Sequence, residues 1–164
     1  MTQLDSCHPA EQFYQAVRQL IRLHMQHART HSNSKHALPR ASYRNEFKTL
    51  RVTAARGMGH TYTALQLIQE LPNSLLVTHN DQQRARLVVP SPYIASQIHS
   101  IDAFYQVTRG RSLPADTLKS AIVPVFIVDT VQLLEHRDSK FGKLEQIVDT
   151  FDACFDVKLF LYLE

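Results

Sequence analysis

Short runs of apolar residues, separated by segments of helix length, constrain the fold of this chain more than any other feature of its sequence. The runs span residues 50–54, 74–79, 124–129 and 157–163. Each has the length and composition of a strand that is buried on both faces. Strands that alternate with helices form a mainly parallel sheet covered by helices. The sequence therefore predicts an α/β domain whose sheet has about four strands flanked by helices.

Helical periodicity predicts helices at residues 61–71 and 144–151, between the strands, and at residues 9–31, before the first strand. In the N-terminal helix the stripe-forming residues follow the i, i+4, i+7, i+8 spacing of one helical face: Phe13, Val17, Leu20, Ile21, His24 and Ala28. Such an amphipathic helix buries its stripe either on the open face of its own sheet or on another protein. Both alternatives, packing within the chain and docking on a protein partner, stay open at this stage.

The charge of the chain is concentrated before the first strand. The first 48 residues contain seven Lys and Arg against three Asp and Glu. Residues 30–42 have no apolar period, which is typical of a linker or extended arm. We therefore divide the chain into an N-terminal helix plus basic arm, residues 1–48, and an α/β domain, residues 49–164. A basic segment of this kind is compatible with nucleic acid or an acidic partner.

The cationic side chains predicted to contact nucleic acid fall in two places. The basic arm supplies the first set and the Arg-Gly-Arg turn at residues 109–111 supplies the second. Together they are Lys35, Arg40, Arg44, Arg109 and Arg111. As solvated surface charges they would have no ligand, and this alternative stays open.

The length of 164 residues suits one domain with an appendage. No apolar run approaches the length of about 18 residues that a membrane-spanning helix needs. The first ten residues are polar, unlike a secretory signal. We expect a cytoplasmic protein without membrane contact. Cys7 and Cys154 have no zinc-site spacing, so we expect reduced thiols.

The segment RVTAARGMGHT leads from the first strand into a helix. Its spacing is that of a Walker A loop, GxxxxGK[ST], with Ala54 in place of the first glycine and His60 in place of the lysine. Glycines let the backbone curl so that its N–H groups point at a phosphate. The candidate nucleotide-binding residues are Arg56, Gly57, Met58, Gly59, His60 and Thr61. The alternative is a tight strand-to-helix turn without a ligand.

The segment VPVFIVDT is an apolar strand that closes on Asp129. This form is typical of a Walker B strand, whose aspartate emerges at the carboxyl edge of the sheet. Asp129 would then hold Mg²⁺ through water beside the Thr61 hydroxyl. The next residue is Thr130 instead of the acid that polarises an attacking water.

The stretch RVTAARGMGHTYTALQLIQELPNSLLVTHN, followed by VFIVDT, resembles the P-loop NTPase superfamily, specifically the cores of phage-type terminases and helicase-like ATPases. The resemblance covers residues 49–163. It implies nucleotide-driven work on nucleic acid with ATP or ADP and Mg²⁺ as cofactors. It also implies that strand 157–163 lies between the loop-bearing strand and the Asp129 strand. The departures at Ala54, His60 and Thr130 fall on catalysis more than on fold.

Three hypotheses follow from these patterns. The first is a degenerate P-loop protein with weak or absent nucleotide binding, a phage-type accessory factor that acts with nucleic-acid machinery, in the host cytoplasm if the source is viral. The second is a protein-interaction module that reuses the fold to modulate a partner enzyme. The third is an active ATPase that uses Thr61 and Asp129. No catalytic residue is assigned.

Histidines at helical spacing give one further candidate site. His24, His27 and His31 are spaced along the predicted N-terminal helix. Helical histidines at this spacing can share a metal ion. The alternative is that His24 packs on the apolar stripe of the helix.

Overall fold

The computed structural model describes residues 8–108, 122–129 and 140–164. The strands are β1 (Thr49–Val52), β2 (Leu75–Thr78), β3 (Ile98–Ser100), β4 (Ile122–Asp129) and β5 (Asp156–Leu163). The helices are α1 (Pro9–Thr30), α2 (Arg40–Tyr43), α3 (His60–Glu70), α4 (Asp81–Val88), α5 (Ile101–Thr108) and α6 (Lys140–Cys154). The prediction of an α/β fold with a parallel sheet flanked by helices is confirmed.

All strands belong to one parallel sheet with the order β1-β5-β4-β2-β3. The two longest strands, β4 and β5, lie next to each other and are apolar almost throughout. Continuous apolar runs suit such strands because helices cover both faces of a parallel sheet. The strand predicted at 157–163 lies between β1 and β4, as expected.

The sheet has five strands in the described residues, so the prediction of about four is corrected. The additional strand, β3, has three residues and pairs with β2 at the edge of the sheet. Its sequence, Ile-His-Ser, runs directly into the helix α5. The apolar signal of so short a strand merges with that of the helix, and periodicity cannot separate them.

A separate apolar layer covers each face of the sheet. On one face, aromatic rings from β4, β5, α5 and α6 form a fully buried cluster: Phe104, Phe126, Phe151 and Phe160. On the other face, α1 and α3 share a second cluster with alternate residues of the same strands. The helices therefore seal both faces of the central strands.

Helix α1 buries its apolar stripe within this chain. Phe13, Val17 and Ile21 are buried in the cluster that includes α3. Leu20, also predicted on the stripe, is 41% exposed because it lies at the margin of the buried face. Of the two alternatives for this helix, the contacts support packing on its own domain.

The segment predicted as a linker or extended arm is largely helical. A 3₁₀ turn (Ser32–His36) and α2 precede a π-helical turn (Arg44–Lys48) that leads into β1. Ion pairs with α6 hold this segment: Asp152 accepts from Arg40 Nε at 2.9 Å and from Lys48 Nζ at 3.2 Å. Sequence periodicity misses it because the contacts that stabilise it are distant in the chain.

Candidate functional site

A polar cleft of about 260 Å³ lies at the carboxyl edge of the sheet, where β1 and β4 end. Its lining residues are Arg56, Gly57, Gly59, His60, Thr61, Gln83 and Asp129. The structure thus brings the predicted loop and the predicted aspartate to one place. Met58, also a candidate, instead packs against the apolar cluster beneath α1.

The loop at residues 53–59, called the glycine loop below, owes its shape to two glycines. Gly57 has φ +83° and Gly59 has φ +98°, both in the left-handed region that side chains disfavour. Between them, the Met58 N–H donates to the Ala55 carbonyl at 3.2 Å and closes a turn. The loop therefore curls sharply before α3 begins.

Helix α3 starts at the cleft with Gly59 as its N-cap residue, which has no side chain to cap the helix. The N–H groups of the first turn of a helix have no acceptor inside that helix. Together with the helix dipole they favour a negative charge at this end. The edge of the cleft formed by His60 and Thr61 is thus electrostatically suited to an anion.

A hydrogen-bonded group fixes the carboxylate of Asp129, which is 3% exposed. Thr61 Oγ1 donates to Asp129 Oδ2 at 3.2 Å, and Gln83 Nε2 donates to the same oxygen at 3.3 Å. Gln83 Oε1 accepts from the His79 N–H at 2.9 Å, which sets the orientation of the amide. Because Mg²⁺ prefers carboxylate, hydroxyl and water oxygens, Thr61 and Asp129 fit this ion.

His60, at the lysine position of the predicted loop, is turned toward α1. His60 is 6% exposed, and its ring packs edge-on against the Phe13 ring with 5.0 Å between the ring centroids. Nε2 is buried and makes no hydrogen bond within the described part of the chain. Arg56 supplies the permanent positive charge on the cleft lining.

The first turn of α1 also contacts the loop. A Cβ placed on Gly59 would lie 2.5 Å from the Ala10 Cβ and 2.8 Å from the Ala10 Cα. In the same turn of α1, Glu11 Oε2 accepts a hydrogen bond from the Tyr62 hydroxyl at 2.7 Å. Helix α1 therefore braces the glycine loop and the start of α3 from outside, which the sequence pattern did not predict.

Three of the residues predicted to contact nucleic acid, Lys35, Arg40 and Arg44, are described by the structure and do not line this cleft. Arg40 and Arg44 pair with α6, through Asp152 and Asp149 respectively. Lys35 is exposed in the 3₁₀ turn. The predicted turn at residues 109–111 lies outside the described residues.

His24 and His27 of α1, together with His31 directly after the helix, pack against the end of the 44–48 turn. His24 Nε2 lies 3.1 Å from the Phe47 carbonyl oxygen, and burial lowers the pKa of His24. The rings of His27 and His31 stack on Phe47 at 5.7 and 5.6 Å. Over the described ranges, no group of three or more His, Cys, Asp or Glu is placed to hold a metal ion. The packing alternative for His24 is the one that the contacts support.

The fold and the cleft define an α/β protein with a candidate ligand site at the carboxyl edge of a parallel sheet. Comparison with protein-family models, with curated proteins and with solved structures gave no match. Among residues 8–108, 122–129 and 140–164, no helix is long and apolar enough to span a bilayer.

Proposed function

We propose that this chain is a degenerate P-loop protein whose cleft binds the phosphates of ATP or ADP weakly, together with Mg²⁺, and that it acts beside nucleic-acid machinery as a phage-type accessory factor. The observation that carries the proposal is the 3.2 Å hydrogen bond between Thr61 and Asp129 at the mouth of the glycine loop. P-loop proteins bind Mg²⁺ through a hydroxyl in the first turn of a helix and a carboxylate at the end of a strand.

The proposed binding mode uses groups that the cleft already presents. The phosphates would accept from N–H groups of the glycine loop and of the first turn of α3. Mg²⁺ would bind Thr61 and Asp129 and be completed by water. Gln83 would keep the carboxylate in place through its 3.3 Å hydrogen bond.

Hydrolysis is not part of the proposal because two groups that support it, the lysine of the loop and the acid after the aspartate, are replaced in this chain. The imidazole of His60 is buried against Phe13. The residue after Asp129 is Thr130, which is no general base. Binding without efficient turnover is the function that this chemistry favours.

Thermal unfolding with and without millimolar Mg-ATP or Mg-ADP tests the proposal. A ligand that binds only the folded state at about 100 times its Kd adds about 2.7 kcal/mol of stability. We expect a rise in Tm for the natural protein and none for Thr61→Val. Thr63→Val is the matched control, since Thr63 lies on the same helix but is fully buried outside the cleft. An equal rise in Tm in all three proteins, or none in the natural one, would contradict the proposal.

The variant His60→Lys separates a silenced site from a purely structural turn. A lysine cannot bury its charge against Phe13 and would extend to the cleft. We expect lower stability without ligand, because the contact with Phe13 is lost, and a larger rise in Tm with Mg-ATP. If neither the natural protein nor His60→Lys shows a rise in Tm, the glycine loop is a structural turn without a nucleotide.

A further inference from the structure

A cationic groove lies at the amino ends of β4 and β5, at the opposite edge of the sheet from the candidate nucleotide cleft. It consists of two adjoining cavities of about 580 and 530 Å³. Both cavities are lined by Lys35, Tyr43, Lys48, Asp156 and Lys158. The shared lining makes them one groove, larger than a single phosphate would need.

The charges of the groove leave its surface positive. Its larger cavity is lined by the cations Lys35, Arg40, Lys48 and Lys158 and by the carboxylates Asp152 and Asp156. Asp152 has a side chain that is only 3% exposed, so its charge is directed inward to Arg40 and Lys48. Within the described residues, Lys35 makes no ion pair and Lys158 pairs only with Asp156, two residues before it on the same strand.

The second cavity adds an apolar floor to this cationic rim. Its apolar lining comes from α1, from the end of α3 and from the start of β4: Met25, Ala28, Leu71, Ile122 and Pro124. Ile122 is 50% exposed, although it begins a strand that is otherwise largely buried. Phe155 adds a partly exposed aromatic ring at the other cavity.

We propose that this groove binds single-stranded nucleic acid, with phosphates at Lys35 and Lys158 and bases against the apolar floor. Single strands are bound by positively charged grooves whose aromatic side chains stack on the bases, and the partly exposed ring of Phe155 is placed to do so here. A purely acidic peptide such as polyglutamate would satisfy the cations and leave the floor uncovered, and free phosphate would occupy neither the length nor the floor of the groove. The proposal goes beyond the nucleotide cleft and does not require that cleft to be occupied.

Fluorescence anisotropy with a labelled deoxythymidylate dodecamer tests the groove. We expect Lys35→Glu/Lys158→Glu to raise Kd about tenfold or more. The slope of log K against log salt should become shallower by about 1.4, because each phosphate contact with a single strand contributes about 0.7. Both lysines lie outside the buried Asp152 cluster, so the variant should fold, which circular dichroism verifies.

The control is Arg86→Glu together with Arg22→Glu, which changes the net charge equally at exposed positions outside the groove lining. It should retain the affinity and salt slope of the natural protein. Equal loss in both double variants would mean that net charge alone attracts the strand, and would overturn the proposal. An abasic dodecamer should bind more weakly; equal binding of the abasic strand, or of polyglutamate at the same salt, would overturn it too.

Cys154 provides a local readout because it is exposed and lines the groove. In a Cys7→Ser protein the remaining thiol is Cys154. The dodecamer should slow the alkylation of this thiol, and an unchanged rate at saturating dodecamer would contradict binding at this place. Nucleotide binding is read separately, from the rise in Tm with Mg-ATP, so that failure of either proposal is distinguishable from failure of the other.

Discussion

Gly59 is the residue at which the glycine loop, α3 and α1 meet. Its backbone has φ +98°, and the Ala10 Cα lies 2.8 Å from the place where a Cβ would be. Gly57 has a similar φ of +83°, but among the described residues other than its chain neighbours no atom lies within 4 Å of its Cβ position. The two glycines therefore separate the cost of left-handed backbone from the cost of close contact with α1.

We expect Gly57→Ala to lower the free energy of unfolding by about 1 kcal/mol, the cost of a left-handed side-chain residue. Gly59→Ala should cost about 3 kcal/mol or more, since overpacking against the backbone of α1 is added. Urea unfolding measures both. Gly59→Ala/Ala10→Gly should recover only part of the loss, because the Ala10 Cα remains. Equal costs at the two glycines would mean that α1 does not brace the loop.

At the residue scale, the sequence predicts best those site residues that are neighbours in the chain. The loop residues and Asp129 were predicted from local spacing, and the structure brings them to one cleft. Gln83 was not predicted, because its contact with Asp129 depends on where α4 lies relative to β4. The orientation of His60 was not predictable either, since its ring partner, Phe13, lies on another helix.

At the scale of elements, Asp152 joins α6 to the segment before β1. Its side chain is 3% exposed and contacts Arg40, Lys48 and, at 4.0 Å, Arg44. Asp149, on the same helix, pairs with Arg44 but is 64% exposed. A buried carboxylate that is removed leaves its cations unpaired, whereas an exposed pair contributes little.

We therefore expect Asp152→Asn to lower the free energy of unfolding by about 2 kcal/mol or more, and Asp149→Asn by less than about 1 kcal/mol. Chemical denaturation measures both at neutral pH. Hydrogen exchange should speed up in the 40–48 segment of Asp152→Asn ahead of the sheet. The same small loss in both variants would show that the 40–48 segment is held by its apolar contacts alone.

Elements with a strong apolar pattern were predictable, and elements held by polar contacts were not. Strands β4 and β5 follow from their apolar runs. Helix α4 has little apolar content, and its start depends on Asn80, whose side chain accepts from the Gln83 N–H. Periodicity does not detect a helix of this kind, although an asparagine before it is a cap signal that sequence reasoning could use.

At the scale of the whole molecule, the parallel sheet separates the two proposed sites. All carboxyl ends of the strands lie at one edge, with the candidate nucleotide cleft, and all amino ends lie at the other, with the cationic groove. Helix α1 reaches both edges, since Ala10 contacts the glycine loop and Ala28 lines the groove. Single-stranded nucleic acid in the groove and a nucleotide in the cleft would thus share one supporting helix without sharing a lining residue.

The stability of the whole molecule depends on pH, and in mild acid we expect His99, on the edge strand β3, to dominate this dependence. Burial, and to a smaller extent the Arg84 charge, lowers the pKa of His99 to about 4. Its ring stacks on Phe104 at 4.0 Å, and Nε2 lies 3.0 Å from the Ser96 carbonyl oxygen. The unfolded chain, with an ordinary pKa of about 6.5, binds more protons than the folded protein between pH 6.5 and 4. The contribution of neutral His99 to the free energy of unfolding is fully present above pH 6.5 and is lost as the pH falls toward 4.

We expect the loss of this contribution to lower the free energy of unfolding by no more than about 3 to 4 kcal/mol across this window, the shift of about 2.5 in pKa taken at 1.36 kcal/mol each. His99→Gln, which can still donate to Ser96, should flatten the pH dependence between 4 and 6.5. His36→Gln is the control, because His36 is exposed in the 3₁₀ turn. Urea unfolding at half-unit pH steps measures all three proteins. An unchanged slope in His99→Gln would mean that His24, whose pKa burial also lowers, or another group controls the acid stability.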